Sequence, residues 1–233
     1  VVIATNQTYR RFALERGGVD PDRVFVVRSS PDPARIHRVE PDASLRDGRP
    51  HLVAYLGTMG PQDGVDLFVA AARRILEARP GQVRFVAMGG GPMLEALREQ
   101  VRGEGLDGDV TFTGRVPDEE VRRVLSTADV AISPDPANDF NEYCTMNKTL
   151  EYMATGVPVV AFDLEETRVS AADAALYATP NDPDHLAELV MQLLDDPERR
   201  AAMGAIGHER VAGELSWSNS ATNLLAAYEA ASR

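Results

Sequence analysis

The stretch TMNKTLEYMATGVPVVAFD, residues 145–163, reads as a helix, a stop and a strand in immediate succession. A helix is expected from about Thr145 to Thr155. Gly156 then supplies a residue at ease in the left-handed conformation that ends helices, and Pro158 cannot continue one. PVVAFD, rich in β-branched and aromatic residues, suits a buried strand. A helix passing directly into an apolar strand is the second half of a crossover unit, the building block of parallel sheets.

The same alternation extends outward. VFVV (Val24 to Val27), HLVAYLG (His51 to Gly57), VRFVAMG from Val83, DVTFTG (Asp109 to Gly114), ADVAISP ending at Pro134 and AALYAT from Ala174 are strand candidates, the last at an edge. Amphipathic stretches separate most of them, including VDLFVAAARRILEA, PMLEALREQVR with Pro92 at its first position, and a helix opened by Pro117-Asp118-Glu119-Glu120. Three helices close the chain from His185, with Ser216 or Ser218 as a cap of the last. The expected fold is α/β, a Rossmann-like parallel sheet sandwiched by helices. Pro, Asp, Arg and Ser crowd residues 28–50, which places a boundary there: 1–48 as connection and start of domain, 49–233 as the main domain.

Composition bounds the partners. Of 233 residues, 44% are hydrophobic and 26% charged, ordinary for a folded domain. The net charge of −12 lacks the basic excess that a phosphate backbone requires, so nucleic acid is not an expected partner. A helix terminus can still bind one small anion inside an acidic protein. The single cysteine, Cys144, excludes an internal disulfide, and no Cys/His spacing suits zinc. With no signal pattern in VVIATNQTYRR and no apolar run long enough to span a bilayer, the expectation is a cytoplasmic protein without a transmembrane segment.

Ligands of open parallel sheets collect at the carboxyl ends of the strands. Three loops qualify. Gly89-Gly90-Gly91-Pro92 cradles a phosphate or simply turns the chain. In Gly57-Thr58-Met59-Gly60-Pro61-Gln62-Asp63-Gly64, Thr58 offers a hydroxyl, while Asp63 caps the next helix. In the third, at about 100° per residue, Leu150, Met153, Ala154 and Val157 gather on one side of the helix and Lys148, Glu151, Tyr152 and Thr155 on the other. Helical side chains lean toward the amino end, so Lys148 and Glu151 point to where the free amides of Thr145 to Lys148 would meet an anion. That arrangement suits a nucleoside diphosphate, with Glu151 accepting from a ribose diol. A solvated Lys–Glu pair is the other reading of the same periodicity.

In order, these segments resemble the carboxy-terminal, donor-binding domain of GT-B glycosyltransferases, specifically the retaining family four. VFVVRSSPDPARI resembles the interdomain strand and turn; the Gly57 and Gly89 segments and DVTFTGRVPDEEVRRVLSTADVAISP follow in family order; TMNKTLEYMATGVPVVAFD resembles the nucleotide-sugar signature. The resemblance implies that Glu151 holds the ribose, that amides around Thr145, Met146 and Asn147 receive the diphosphate, that Arg115 and Val116 frame the base, and that Gly57 and Thr58 lie beside the phosphates. It implies a UDP- or GDP-sugar donor, no separate cofactor, no metal, and retaining transfer to a glycan or other acceptor in polysaccharide or surface-glycan synthesis.

The chain departs from the family pattern in two places. Tyr143 stands where the motif has its first acid, with Glu142 one residue earlier, so Glu142 is the shifted candidate for that catalytic position. The usual Arg and Lys after the first strand are absent, and Lys148, or Arg28, takes over that charge. The chain resembles half of a two-domain enzyme, so the acceptor-binding domain is expected elsewhere in the protein, and the isolated domain is expected to be inactive. The alternatives are a sugar-nucleotide epimerase, an NAD-binding enzyme built on Gly57, Gly60 and Gly64, and a module that binds without catalysis.

Overall fold

A small βαβ unit opens the chain: β1 (Val2–Ala4), α1 (Gln7–Glu15) and β2 (Val24–Val26), with β1 and β2 paired in parallel. Asn6 caps α1 by accepting the Tyr9 N–H at 2.8 Å. In the computed structural model, which describes residues 1–232, residues 27–50 contain no strand or α-helix; they are tied to the main body through Val39 and Asp42, whose N–H groups donate to Ser126 and Thr127. There follow β3 (His51–Leu56), α2 (Val65–Ala78), β4 (Val83–Met88), α3 (Leu94–Gly103), β5 (Val110–Gly114), α4 (Asp118–Thr127) and β6 (Val130–Ser133). The second half is α5 (Asn147–Ala154), β7 (Val159–Phe162), α6 (Glu165–Ala171), β8 (Ala175–Ala178), α7 (Pro183–Asp195), α8 (Pro197–Ala212) and α9 (Trp217–Ala231).

The main sheet has the order β5-β4-β3-β6-β7-β8, and every pair is parallel. The chain winds outward from β3 to β5, returns to lay β6 on the other side of β3, and winds away to β8. Because successive side chains point to opposite faces, both faces must be covered. Val53 and Tyr55 join the layer built from α2, α3 and α7, while Leu52 and Ala54 join that of α4 and α5. The α/β expectation holds, with AALYAT at the sheet edge.

Several local expectations shift. Residues 2–15 carry a strand and a helix that were not read from the sequence, since three strand residues give no periodic signal. Helix α5 begins at Asn147 because Met146 remains extended (φ −81°, ψ 102°). Pro92 lies outside α3; the Met93 N–H is drawn to the Met59 carbonyl at 2.9 Å instead, which delays the helix to Leu94. Asp63 does not cap α2. Gly64 holds that position, and the Asp63 carboxylate turns back to accept the Gly60 N–H at 2.8 Å. Ser216 occupies the cap position of α9, but its hydroxyl accepts from none of the helix amides.

Candidate functional site

The winding direction reverses between β3 and β6, and the crevice beyond the carboxyl ends of these strands is where open α/β sheets take ligands. Two glycine loops meet there through their backbones. The Gly57 N–H donates to the Met88 carbonyl at 3.0 Å and Met59 N–H to Gly90 at 3.1 Å. A Cβ on Gly89 would lie 1.8 Å from the Gly57 oxygen, and one on Gly91 2.5 Å from the Met59 oxygen. Glycines 89 and 91 are therefore required by the approach of one loop to the other. The Tyr55 hydroxyl closes the base of the first loop by donating to the Thr58 carbonyl at 2.6 Å.

Beside these loops opens a cleft of about 340 Å³ whose wall includes Gly57, Thr58, Gly90, Arg115, Val116 and Glu151. Residues read from four separate stretches of sequence thus share one cleft. Arg35, from the connection, and Asp118, from the start of α4, also line it; the Arg35 Nε and Nη2 donate to the Asp118 carboxylate at 2.9 and 3.0 Å. This pair joins positions far apart in the chain and was not foreseen. Glu151 also borders an adjoining hollow of about 190 Å³ with Asn147. Burial pushes the Glu151 carboxyl above the ordinary carboxylate range, opposed by the positive charges of Arg35 and Lys148.

Neither hollow has Thr145, Met146, Lys148 or Glu142 in its lining. Thr145 and Met146 lead into α5, whose amino end has no side-chain cap. Among the described residues, no acceptor meets the N–H groups of Thr145, Met146 and Asn147, as an anion site at a helix start requires. Glu142 does not face the cleft. Its carboxylate accepts the Glu165 N–H at 3.1 Å, satisfying a free amide at the start of α6.

Lys148 corrects the amphipathic reading of α5. It is only 8% exposed, with its ammonium held by the carboxylate of Asp135, itself 2% exposed. Ser133 donates to the other Asp135 oxygen at 2.6 Å. Tyr152 and Thr155, assigned to the same polar face, are fully buried. The Tyr152 hydroxyl accepts the Leu56 N–H at 2.8 Å and donates to the Ile132 carbonyl at 3.2 Å, pinning β3 to β6 at the reversal point. The Thr155 hydroxyl donates to the Tyr152 carbonyl at 2.9 Å. Three of the four polar positions thus face the interior with their hydrogen bonds satisfied, and Glu151 alone borders the cleft.

A larger cavity, about 490 Å³, lies at the opposite ends of the strands. Of its arginines, Arg46 and Arg200 bind backbone carbonyls that they help to satisfy. Among the described residues, no group of three or more His, Cys, Asp and Glu is placed to hold a metal ion, and no helix is long and apolar enough to cross a membrane.

A doubly wound parallel sheet with a glycine-lined cleft at its reversal point defines a Rossmann-like domain. The chain belongs to the glycosyl transferases group 1 family, whose sequence profile matches residues 50–196. It is 33% identical over 241 residues to a GDP-mannose-dependent alpha-(1-6)-phosphatidylinositol monomannoside mannosyltransferase of Mycobacterium tuberculosis, covering 96% of this chain and 60% of the relative. It is 29% identical to a D-inositol 3-phosphate glycosyltransferase of Nocardia farcinica, covering 99% of this chain and 52% of the relative. The chain spans little more than half the length of these relatives. A mutant of S. aureus TarM, solved with fondaparinux, alpha-GlcNAc-glycerol and UDP, superposes with a TM-score of 0.79 at 17% identity, over 97% of this chain and 43% of that one. Anabaena HepE with UDP and glucose gives 0.75 at 17% identity, over 100% and 63%. The fold is that of the carboxy-terminal half of a GT-B protein.

Proposed function

We propose that this domain binds a nucleoside-diphosphate sugar and serves retaining transfer of the sugar to a glycan or other acceptor, with the acceptor site completed by the remainder of the protein. The observation that carries this reading is the placement of Glu151, the Gly57–Thr58 loop and Arg115–Val116 around one cleft, beside the uncapped start of α5. In this reading the base lies by Arg115 and Val116, and Glu151 accepts from the ribose hydroxyls. The diphosphate meets the amides of Thr145 to Asn147, which stabilise the charge that grows on the leaving group. Lys148 shares its charge with Asp135, so its part is to hold the loop floor and add a screened positive field. No metal enters the reading. The relatives named for GDP-mannose and the structures containing UDP support the donor class.

An NAD site on the same loop is disfavoured by Asp63. Its carboxylate occupies the Gly60 N–H, where a dinucleotide phosphate would have to approach.

Calorimetric titration with UDP, GDP and NAD tests the proposal. A nucleoside diphosphate is expected to bind. Glu151→Ala should weaken it by roughly 10- to 100-fold, corresponding to loss of a charge-assisted hydrogen bond of about 1.5–3 kcal/mol. A 2′,3′-dideoxynucleoside diphosphate should be indifferent to that change. Tight NAD binding unaffected by Glu151→Ala would overturn the assignment.

The raised Glu151 carboxyl gives the affinity a pH dependence of defined sign. Its carboxylate form holds the ribose, so the contribution is complete above the shifted pKa and lost as pH falls through it. The window lies above that of an ordinary carboxylate. The ratio of wild-type to Glu151→Gln affinity, followed by titration across the acid range, should therefore fall toward one on acidification. A ratio independent of pH would count against ribose contact by Glu151.

A further inference from the structure

The loop entering α5 is held from outside by the first helix. Asn6 is completely buried at the start of α1, and its amide acts in both directions. Its Oδ1 accepts the Tyr9 N–H at 2.8 Å, while Nδ2 donates to the Tyr143 carbonyl at 2.8 Å and to the Thr145 hydroxyl at 3.3 Å. Both partners fix the orientation of the amide, since an N–H must meet its oxygen and a carbonyl its nitrogen. Capping a helix needs only an acceptor, and aspartate caps as well as asparagine. The donating half of Asn6 is therefore surplus to α1 and serves the loop.

A second set of buried contacts holds α1 in place. Thr8 gives its N–H, at 3.2 Å, and its hydroxyl, at 2.7 Å, to the Glu166 carboxylate in the first turn of α6, which has no solvent exposure. Glu142, from the loop, accepts from the neighbouring Glu165 N–H. The start of α1, the loop and the start of α6 form one polar cluster.

We propose that Asn6 is a positioning residue: through the Tyr143 carbonyl it sets the path of the loop whose Thr145–Asn147 amides meet the diphosphate, tying donor binding to the placement of the β1–α1–β2 unit. This rests on the reading of the site given above.

Asn6→Asp separates the two halves of the side chain. It keeps the acceptor that caps α1, removes the donor, and sets a carboxylate against a carbonyl. The chain's single cysteine supplies a reporter that needs no ligand, because Cys144 lies in this loop with its Sγ 3.6 Å from the Tyr9 hydroxyl on α1. Asn6→Asp is expected to raise the rate of Cys144 labelling by an aromatic disulfide reagent several-fold. It should weaken UDP or GDP binding about tenfold, the loss of roughly one hydrogen bond's worth of order. The melting temperature should fall in Asn6→Asp, since a buried carboxylate then faces a carbonyl, so labelling and binding are compared well below the transition of each variant. Asn6→Ser, which also caps but is too short to span the same contacts, should shift both readouts in the same direction and covers the case in which the aspartate does not fold. Unchanged labelling in both variants overturns the coupling. Faster labelling with unchanged nucleotide affinity overturns the positioning role. Failure of the parent chain to bind any nucleoside diphosphate overturns the underlying reading of the site, a result separate from any behaviour of the variants.

Discussion

Lys148→Ala is expected to lower the stability of the domain by about 3–5 kcal/mol, the range for removing one partner of a buried ion pair. The loss comes chiefly from what remains. Asp135, 2% exposed, would keep one hydrogen bond from Ser133 and face a void where the ammonium was. The pair itself need contribute little, since desolvating two charges offsets most of their attraction. Lys148→Met combined with Asp135→Leu should therefore recover most of the stability lost in either single change. Urea denaturation at neutral pH measures all three. If the double replacement is as unstable as the sum of the singles, the two side chains are not coupled, and the description of this pair is wrong.

This pair also explains how a lysine can lie beneath the glycine loop without being a free phosphate ligand. A Cβ on Gly57 would approach the Lys148 Cε and the Tyr55 hydroxyl to 2.9 Å, so the glycine loop rests directly on the lysine stem. The ammonium lies 5.6 Å from the Tyr55 ring, which adds a modest cation–π attraction. The loop's position at the cleft wall is thus set from below by a charge whose partner lies just beyond β6. Loss of nucleotide binding in Lys148→Ala would consequently report collapse of the loop as well as loss of charge, and Glu151 is the cleaner probe of ligand contact.

The sheet was legible because strand and helix periods alternate plainly from His51 onward, and stop signals such as Gly156 and Pro158 stand where the helices end. The faces of α5 were not legible. Its polar residues read as one open face, turned to a ligand or to solvent, yet Lys148, Tyr152 and Thr155 point inward, because a helix at the reversal point packs against the sheet and against α8. Periodicity separates polar from apolar, and it cannot separate polar groups bonded to water from polar groups bonded to protein. Asp135, between two prolines, lies outside any strand or helix; its burial follows from lying just past β6 at the centre of the sheet. Asn6 and Arg35 contact residues 137 and 83 positions away, and no local pattern carries such information.

Gly89→Ala should be more damaging than any other single methyl addition at the cleft, because two independent penalties coincide. The backbone at Gly89 has φ +132°, which an L side chain rarely adopts, and the added Cβ would stand 1.8 Å from the Gly57 oxygen. Strain of this kind costs about 1–3 kcal/mol, and overpacking a further 1–3. Three glycines form a graded series on nearby structure. Gly103, in the last turn of α3, has no neighbour within 4 Å of an added Cβ, and alanine there should be neutral or stabilising by up to about 1 kcal/mol. Gly105 has open space but φ +70°, so alanine should cost about 1 kcal/mol from backbone strain alone. Denaturation midpoints should fall in the order Gly103→Ala, Gly105→Ala, Gly89→Ala. Relieving the clash at Gly89 must push the Gly57 loop down onto Lys148 or up into the cleft, since the Gly57 N–H is bonded to Met88 in the adjacent strand. Nucleoside diphosphate affinity should therefore drop with stability in Gly89→Ala and stay unchanged in the other two. An unaltered midpoint and affinity for Gly89→Ala would mean that the two loops are not in backbone contact, and the cleft as described would have no floor.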